Sequence, residues 1–211
     1  MFRLCATALL IGCVAHDIEL VTFDSTAKLK WEQETDEGMG GSSMGSFEHA
    51  NKSNTFQGEC KTLPSPAGAA GWFSVKADLS SAPALNDCQG IAIRARTSAT
   101  YSGFRLSFGK DQWYSKQGYK AVFTVPSGEE FTSVQIPWED FTRDWDEATG
   151  KPQIACTHDT SVCPTFVQIQ NIQQLQLWAE GAVGHFKLEV ESIGAYSCMD
   201  EAKAPWSSVF A

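Results

Sequence analysis

The chain has 211 residues, of which 43% are hydrophobic, 19% charged and 11% aromatic. That composition excludes wholesale disorder, collagen and coiled coil, and the length suits one large domain with short tails. Sixteen Lys and Arg stand against 25 Asp and Glu, a formal net charge of −9, so nucleic-acid binding and direct adhesion to an anionic membrane are disfavoured.

In chain order, the first element is a targeting segment. Arg3 precedes an apolar run from Leu4 to Val14, and Cys13-Val14-Ala15 puts small residues at the cleavage offsets of a secretory signal peptide. The run is too short to span a bilayer, and no later stretch reaches that length. A single Arg weighs against a mitochondrial presequence. The expected location is the secretory lumen or the outside of the cell, with a mitochondrion or plastid as the alternative. Residues 16–198 are expected to form one domain, and residues 199–211 a loose tail. Asn51-Lys52-Ser53 is an N-glycosylation acceptor in a eukaryotic secretory pathway.

Alternation at period two then recurs. Ile91, Ile93 and Ala95 form one apolar row, followed by Phe104, Leu106 and Phe108, then Ala121, Phe123 and Val125, then Val134 and Ile136. Leu175, Leu177 and Ala179, and Phe186, Leu188 and Val190, close the series. Each row reads as a half-buried strand. Turn residues stand between them, as at Ser127-Gly128 and Thr149-Gly150. The spacing of Trp138, Phe141 and Trp145 suits one or two helical turns, and nothing longer keeps a helical period. Many short strands with almost no helix predict an all-β antiparallel sandwich or jelly roll.

Seven cysteines are present, and two fall in the leader. Cys156 and Cys163 are close enough in sequence to staple a loop, a reading favoured over a zinc site because His158 and Asp159 supply no well-spaced tetrahedral set. Cys60 with Cys88 is the next expected pair, with Cys198 left over or partnering one of them.

A search for catalytic constellations finds no His-Glu-x-x-His, nucleophile elbow or phosphate loop. Glu139, Asp140, Asp144, Asp146 and Glu147 read as a solvated loop face in preference to an acid–base pair. Asp24 and Asp36 lack the spacing of a calcium loop, so neither a metal nor a cofactor is assigned. Exposed aromatics are the better lead, since they stack on sugar faces or anchor partners. Trp113, Tyr114 and Trp178 lie in polar surroundings or on a polar strand phase and are candidate ligand-facing residues. Arg94, Arg96 and Arg105 share a polar phase on two strands and join them as candidates, with structural ion pairing as the safer reading.

The segment Thr35-Asp36-Glu37-Gly38-Met39-Gly40-Gly41-Ser42-Ser43-Met44-Gly45-Ser46-Phe47 resembles the signature of the complex I intermediate-associated protein 30 family. In that signature a Trp is followed by Asn-Asp, two residues, Met-Gly-Gly, then Ser and Phe. Trp31, Asp36, Met39, Gly40, Gly41, Ser43 and Phe47 fall in register, and Thr35 replaces the usual Asn. Phe56-Gln57-Gly58, Gly71-Trp72-Phe73-Ser74, Asp78-Leu79-Ser80, Gly90 to Arg96, Val134 to Phe141 and Trp178-Ala179-Glu180-Gly181 continue the resemblance in order over residues 20–195. It implies a galactose-binding-like jelly roll, related in shape to carbohydrate-binding modules, and a non-catalytic, chaperone-like assembly role. Protein partners are therefore expected first, and a secreted carbohydrate-binding module is the alternative. The Met39-Gly40-Gly41 run itself is expected to be a structural turn or bulge, with Asp36 capping it and Trp31 and Phe47 packing into the body of the domain.

Overall fold

The computed structural model describes residues 15–23, 29–65, 68–79, 82–109, 118–146 and 149–199. The targeting segment up to Val14 and the tail from Asp200 lie outside the described residues. In chain order the strands are β1 (Ala15–Thr22), β2 (Trp31–Thr35), β3 (Met44–Ala50), β4 (Ser53–Cys60), β5 (Trp72–Asp78), β6 (Gly90–Arg96), β7 (Phe104–Gly109), β8 (Tyr119–Val122), β9 (Thr132–Pro137), β10 (Trp145–Asp146), β11 (Lys151–Pro152), β12 (Gln174–Glu180) and β13 (Gly184–Met199). One short helix, α1 (Phe166–Gln170), precedes β12. No helix among the described residues is long and apolar enough to cross a membrane.

The strands form an antiparallel sandwich of jelly-roll type. One sheet runs β3-β4-β13-β6-β9, with β1 beside β13; the other runs β2-β5-β12-β7-β8. The apolar rows meet between them. Ile91, Ile93 and Ala95 of the first sheet and Leu106, Leu175 and Leu177 of the second are buried in one core. β13 holds the first sheet together: its N-terminal half pairs with β4, its C-terminal half with β1, and β6 follows it across a bulge between Val190 and Ser192.

Two local expectations are corrected. The row through Ala121, Phe123 and Val125 leaves the ladder at Val122; Phe123 and Val125 stay buried in an extended connection. The helical turns near Trp138 shrink to a 3-10 turn over Trp138–Asp140. There the chain straightens at Phe141 so that Thr142 can bridge to Lys120, and Trp145 opens the β10–β11 hairpin. Conversely, α1 is too short to show a period. It is set by its start, where the Thr165 backbone N–H and hydroxyl both donate to Gln168 Oε1, at 2.8 and 2.7 Å.

Cys156 and Cys163 are joined, as are Cys88 and Cys198. The expected Cys60–Cys88 pair is therefore wrong. Backbone bonds from Gln89 N to Tyr196 O and from Met199 N to Asp87 O hold Cys88 against the end of β13. Cys60 instead ends β4 inside the core, where its thiol donates to Ala179 O at 3.2 Å. Met199, placed in the tail by sequence, is the last residue of β13 and pairs with Ala15.

Candidate functional site

The Met-Gly-Gly segment folds around a buried carboxylate. Asp36–Met39 is a 3-10 turn whose start is capped by the Thr35 side chain accepting from Glu37 N–H, the service an Asn would give at that position. Asp36, expected as the cap, points inward and is fully buried. Its Oδ1 accepts from Ser43 N at 3.0 Å, and its Oδ2 accepts from Ser43 Oγ at 2.5 Å and Trp72 N at 3.1 Å. Gly40 ends the turn at φ +74, and a Cβ on Gly41 would lie 2.2 Å from the Asp36 carboxyl carbon. Trp31 and Phe47 meet edge-on at 5.0 Å and pack on the core beside Phe23. With its oxygens taken by protein donors, Asp36 has the place of a structural hub and not of a ligand to calcium. Asp24 lies outside the described residues.

The outer face of the five-stranded sheet carries polar side chains and tryptophans in register. One row across it reads Glu34, Ser74, Trp178, Arg105; the next reads Glu32, Lys76, Gln176, Ser107, Lys120. Neighbours along these rows satisfy one another. Gln176 Nε2 donates to Ser74 Oγ at 2.9 Å and Glu34 Oε2 at 3.2 Å, Trp178 Nε1 donates to Ser107 Oγ at 2.8 Å, and Lys76 Nζ lies 2.7 Å from Glu34.

Beside β8 the layer becomes ionic. Lys120 Nζ is 2.7 Å from Glu180 Oε2 with both side chains 6% exposed. The same ammonium sits 4.2 Å from the Trp178 ring centroid and 5.0 Å from that of Trp145, so two aromatic faces and a carboxylate replace its water. Arg105 is also buried. Its Nε donates to Gly150 O, and its Nη1 to Ser102 O and Phe104 O. Burial lowers its pKa, and the Glu180 carboxylate opposes that shift.

The sequence-derived candidates thus separate. Trp178 and Arg105 share this face, but Trp178 is only 6% exposed and sits under Lys120, so its ring is no open platform. Arg94 and Arg96 belong to β6 in the other sheet and pair with Glu191 and Glu189, the structural ion pairing expected as the safer reading, so they do not share the face of Arg105. Trp113 and Tyr114 lie outside the described residues. Glu139 and Asp140 stand exposed after β9, and burial together with Glu139 raises the Asp140 carboxyl. No group of three or more metal-ligating side chains converges among the described residues. Asn51 is exposed at the tip of the β3–β4 hairpin, at φ 61. Lys120 and Glu180 were missed, because a charged residue in the polar phase of a strand reads as solvent-facing. The charge-bearing WAEG segment at Trp178 to Gly181 was the one available signal.

Two open depressions flank this layer. One, of about 640 Å³, is lined by Lys30, Glu32, Lys76, Asp78, Gln173 and Gln174. The other, of about 260 Å³, lies over Arg105 and Lys120.

Compared with known proteins, residues 21–190 match the model of the complex I intermediate-associated protein 30 family. Among curated proteins, none matches the sequence. Similar solved structures include the family 11 carbohydrate-binding module of the cellulosomal cellulase Lic26A-Cel5E of Clostridium thermocellum, at 14% identity and a TM-score of 0.58, covering 90% of this chain and 99% of that one. The family 11 module from the same organism in complex with a β-1,3-1,4-mixed-linked tetrasaccharide is similar at 13% identity and a TM-score of 0.59, covering 89% and 99%. These likenesses show the fold.

Proposed function

Because the chain belongs to the complex I intermediate-associated protein 30 family, we propose that it is a non-catalytic binding module that docks a protein partner, as an assembly factor or chaperone does, in a secretory setting. The observation that carries this reading is the 640 Å³ groove across β2, β5 and β12. Its lining alternates Lys30, Glu32, Lys76 and Asp78 with the amides of Gln173 and Gln174. Charges of both signs beside amides suit the charges and backbone of a polypeptide. Sugar platforms are commonly open aromatic faces, and Trp72 and Trp178 on this sheet are only 5% and 6% exposed. The two disulfides fit an oxidising compartment, in keeping with the signal-like leader. The test is affinity capture from the compartment in which the tagged full chain resides, with the captured protein then purified and rebound to the wild type and to a groove variant. Binding lost only in the groove variant supports the reading; equal binding by both counts against it.

The fold favours a second reading, a carbohydrate-binding module, because similar structures include one that holds a mixed-linked tetrasaccharide. Titration with that tetrasaccharide tests it directly.

A further inference from the structure

Around the pocket over Arg105 and Lys120, the described residues hold more buried positive than negative charge. Two cations, Arg105 and Lys120, are buried beside a single buried carboxylate, Glu180. Glu180 is committed to Lys120 at 2.7 Å, and no carboxylate among the described residues comes within ion-pair distance of Arg105. Backbone carbonyls satisfy Nε and Nη1 of Arg105, which answers their hydrogen bonds but not the charge. Nη2 has no hydrogen-bond partner among the described residues. Every fully buried side-chain nitrogen or oxygen among them has one, and Arg105 lines the pocket. Gly181 keeps that nitrogen clear: a Cβ there would lie 2.8 Å from it.

The surroundings describe the missing ligand. The pocket is bounded by Arg105, Lys120, Asp140, Thr142, Trp145 and Pro152, with a volume of about 260 Å³. That is just under the roughly 300–1,000 Å³ of drug-sized sites and suits one ring with its substituents. A guanidinium is matched in shape and charge to a carboxylate. The half-buried Trp145 ring, which also packs beside the Lys120 ammonium at 5.0 Å, lines the pocket as an apolar wall for a ring. Asp140 sits at the mouth as an acceptor for hydroxyls.

We propose that this pocket binds a carboxylated sugar ring, with the carboxylate on Arg105 and the ring against Trp145. The site is separate from the protein-docking groove, and it rests on the second, carbohydrate reading. The test uses the full mature chain and follows the Trp145 indole N–H resonance, assigned from its loss in Trp145→Phe, during titration with glucuronate, glucose, acetate and the mixed-linked tetrasaccharide. The expected result is a saturable shift with glucuronate and binding about tenfold weaker or worse for both glucose and acetate, which is about 1.4 kcal/mol or more. Read by isothermal titration calorimetry, which needs no indole reporter, Trp145→Ala, a substitution outside the core, should lose glucuronate binding in natively folded protein, as should Arg105→Gln if it folds. Equal response to glucose would overturn the carboxylate assignment, and equal response to acetate the ring. No response to glucuronate overturns the proposal outright. Tetrasaccharide binding in that case would leave the carbohydrate reading standing, and its absence would remove both.

Discussion

Ser43 reaches the carboxylate of Asp36 twice, with its backbone N–H at 3.0 Å from Oδ1 and its hydroxyl at 2.5 Å from Oδ2. Trp72 N–H adds a third bond, and Ser43 Oγ in turn accepts from Lys61 N–H at 3.0 Å. One side chain thereby joins the 3-10 turn after β2, the start of β3 and the start of β5. The family signature around Met39-Gly40-Gly41 is the sequence trace of this junction.

Substitution within the junction should act on stability. Gly40→Val places a branched residue at φ +74, and Gly41→Val drives a Cβ into the Asp36 carboxyl group; each should destabilise by about 1–3 kcal/mol. Asp36→Ala leaves three donors unpaired and should cost more, at least about 3 kcal/mol. Denaturant melts check the values. Binding measured on the folded fraction should be unchanged, and abolished binding with unchanged stability would instead place the loop in the ligand site.

The Lys120–Glu180 pair should show strong non-additivity. Glu180→Leu alone strands a buried ammonium, and Lys120→Met alone strands a buried carboxylate, so each should cost about 3–5 kcal/mol. The double variant removes both charges and should cost well under the sum. A double-mutant cycle by urea melts reads the difference; additive single effects would mean that water reaches the pair.

Removing the two disulfides should have unequal effects. Cys88–Cys198 closes a separation of 110 residues and Cys156–Cys163 one of 7. On chain entropy the first stabilises by about 4–5 kcal/mol and the second by about 2–3 kcal/mol. Paired Cys→Ala variants, melted side by side, should rank in that order.

The strand rows were legible because they lie in a two-layer sandwich, where one face of each strand must be apolar. Ile91, Ile93, Leu175 and Leu177 were placed by that logic, and all are buried. The family signature located the Asp36 junction but not its chemistry, since period two cannot show that Asp36 faces inward across three elements. The ionic layer was illegible for a related reason. Lys120, Glu180 and Arg105 occupy the outward phase of their strands, and partners distant in sequence cover them, with Trp145 beside Lys120 and Gly150 O accepting from Arg105 Nε. The disulfide partner of Cys88 depended on which strand end lies beside it, and no local spacing encodes that.

Cys60 should be chemically silent in the native state. Burial raises its thiol from near 9.0 to about 11, leaving almost no thiolate at neutral pH. Alkylation of Cys60 at pH 8 should occur only after unfolding. Because the folded state holds the proton more tightly, its contribution to stability is full below about 9 and is lost as pH rises through about 11. Rapid native labelling of Cys60 would contradict the burial.

The proposed docking of a protein partner in the groove across β2, β5 and β12 can be measured directly. The most direct measurement is the affinity of the purified captured partner for the wild type, for the charge-reversed groove variant Glu32→Lys/Lys76→Glu, and for Arg94→Ala on the opposite sheet. A loss of about tenfold or more is expected in the groove variant, on the scale of disrupted interfacial charges, with Arg94→Ala binding as the wild type does. Wild-type affinity in a natively folded groove variant would contradict it.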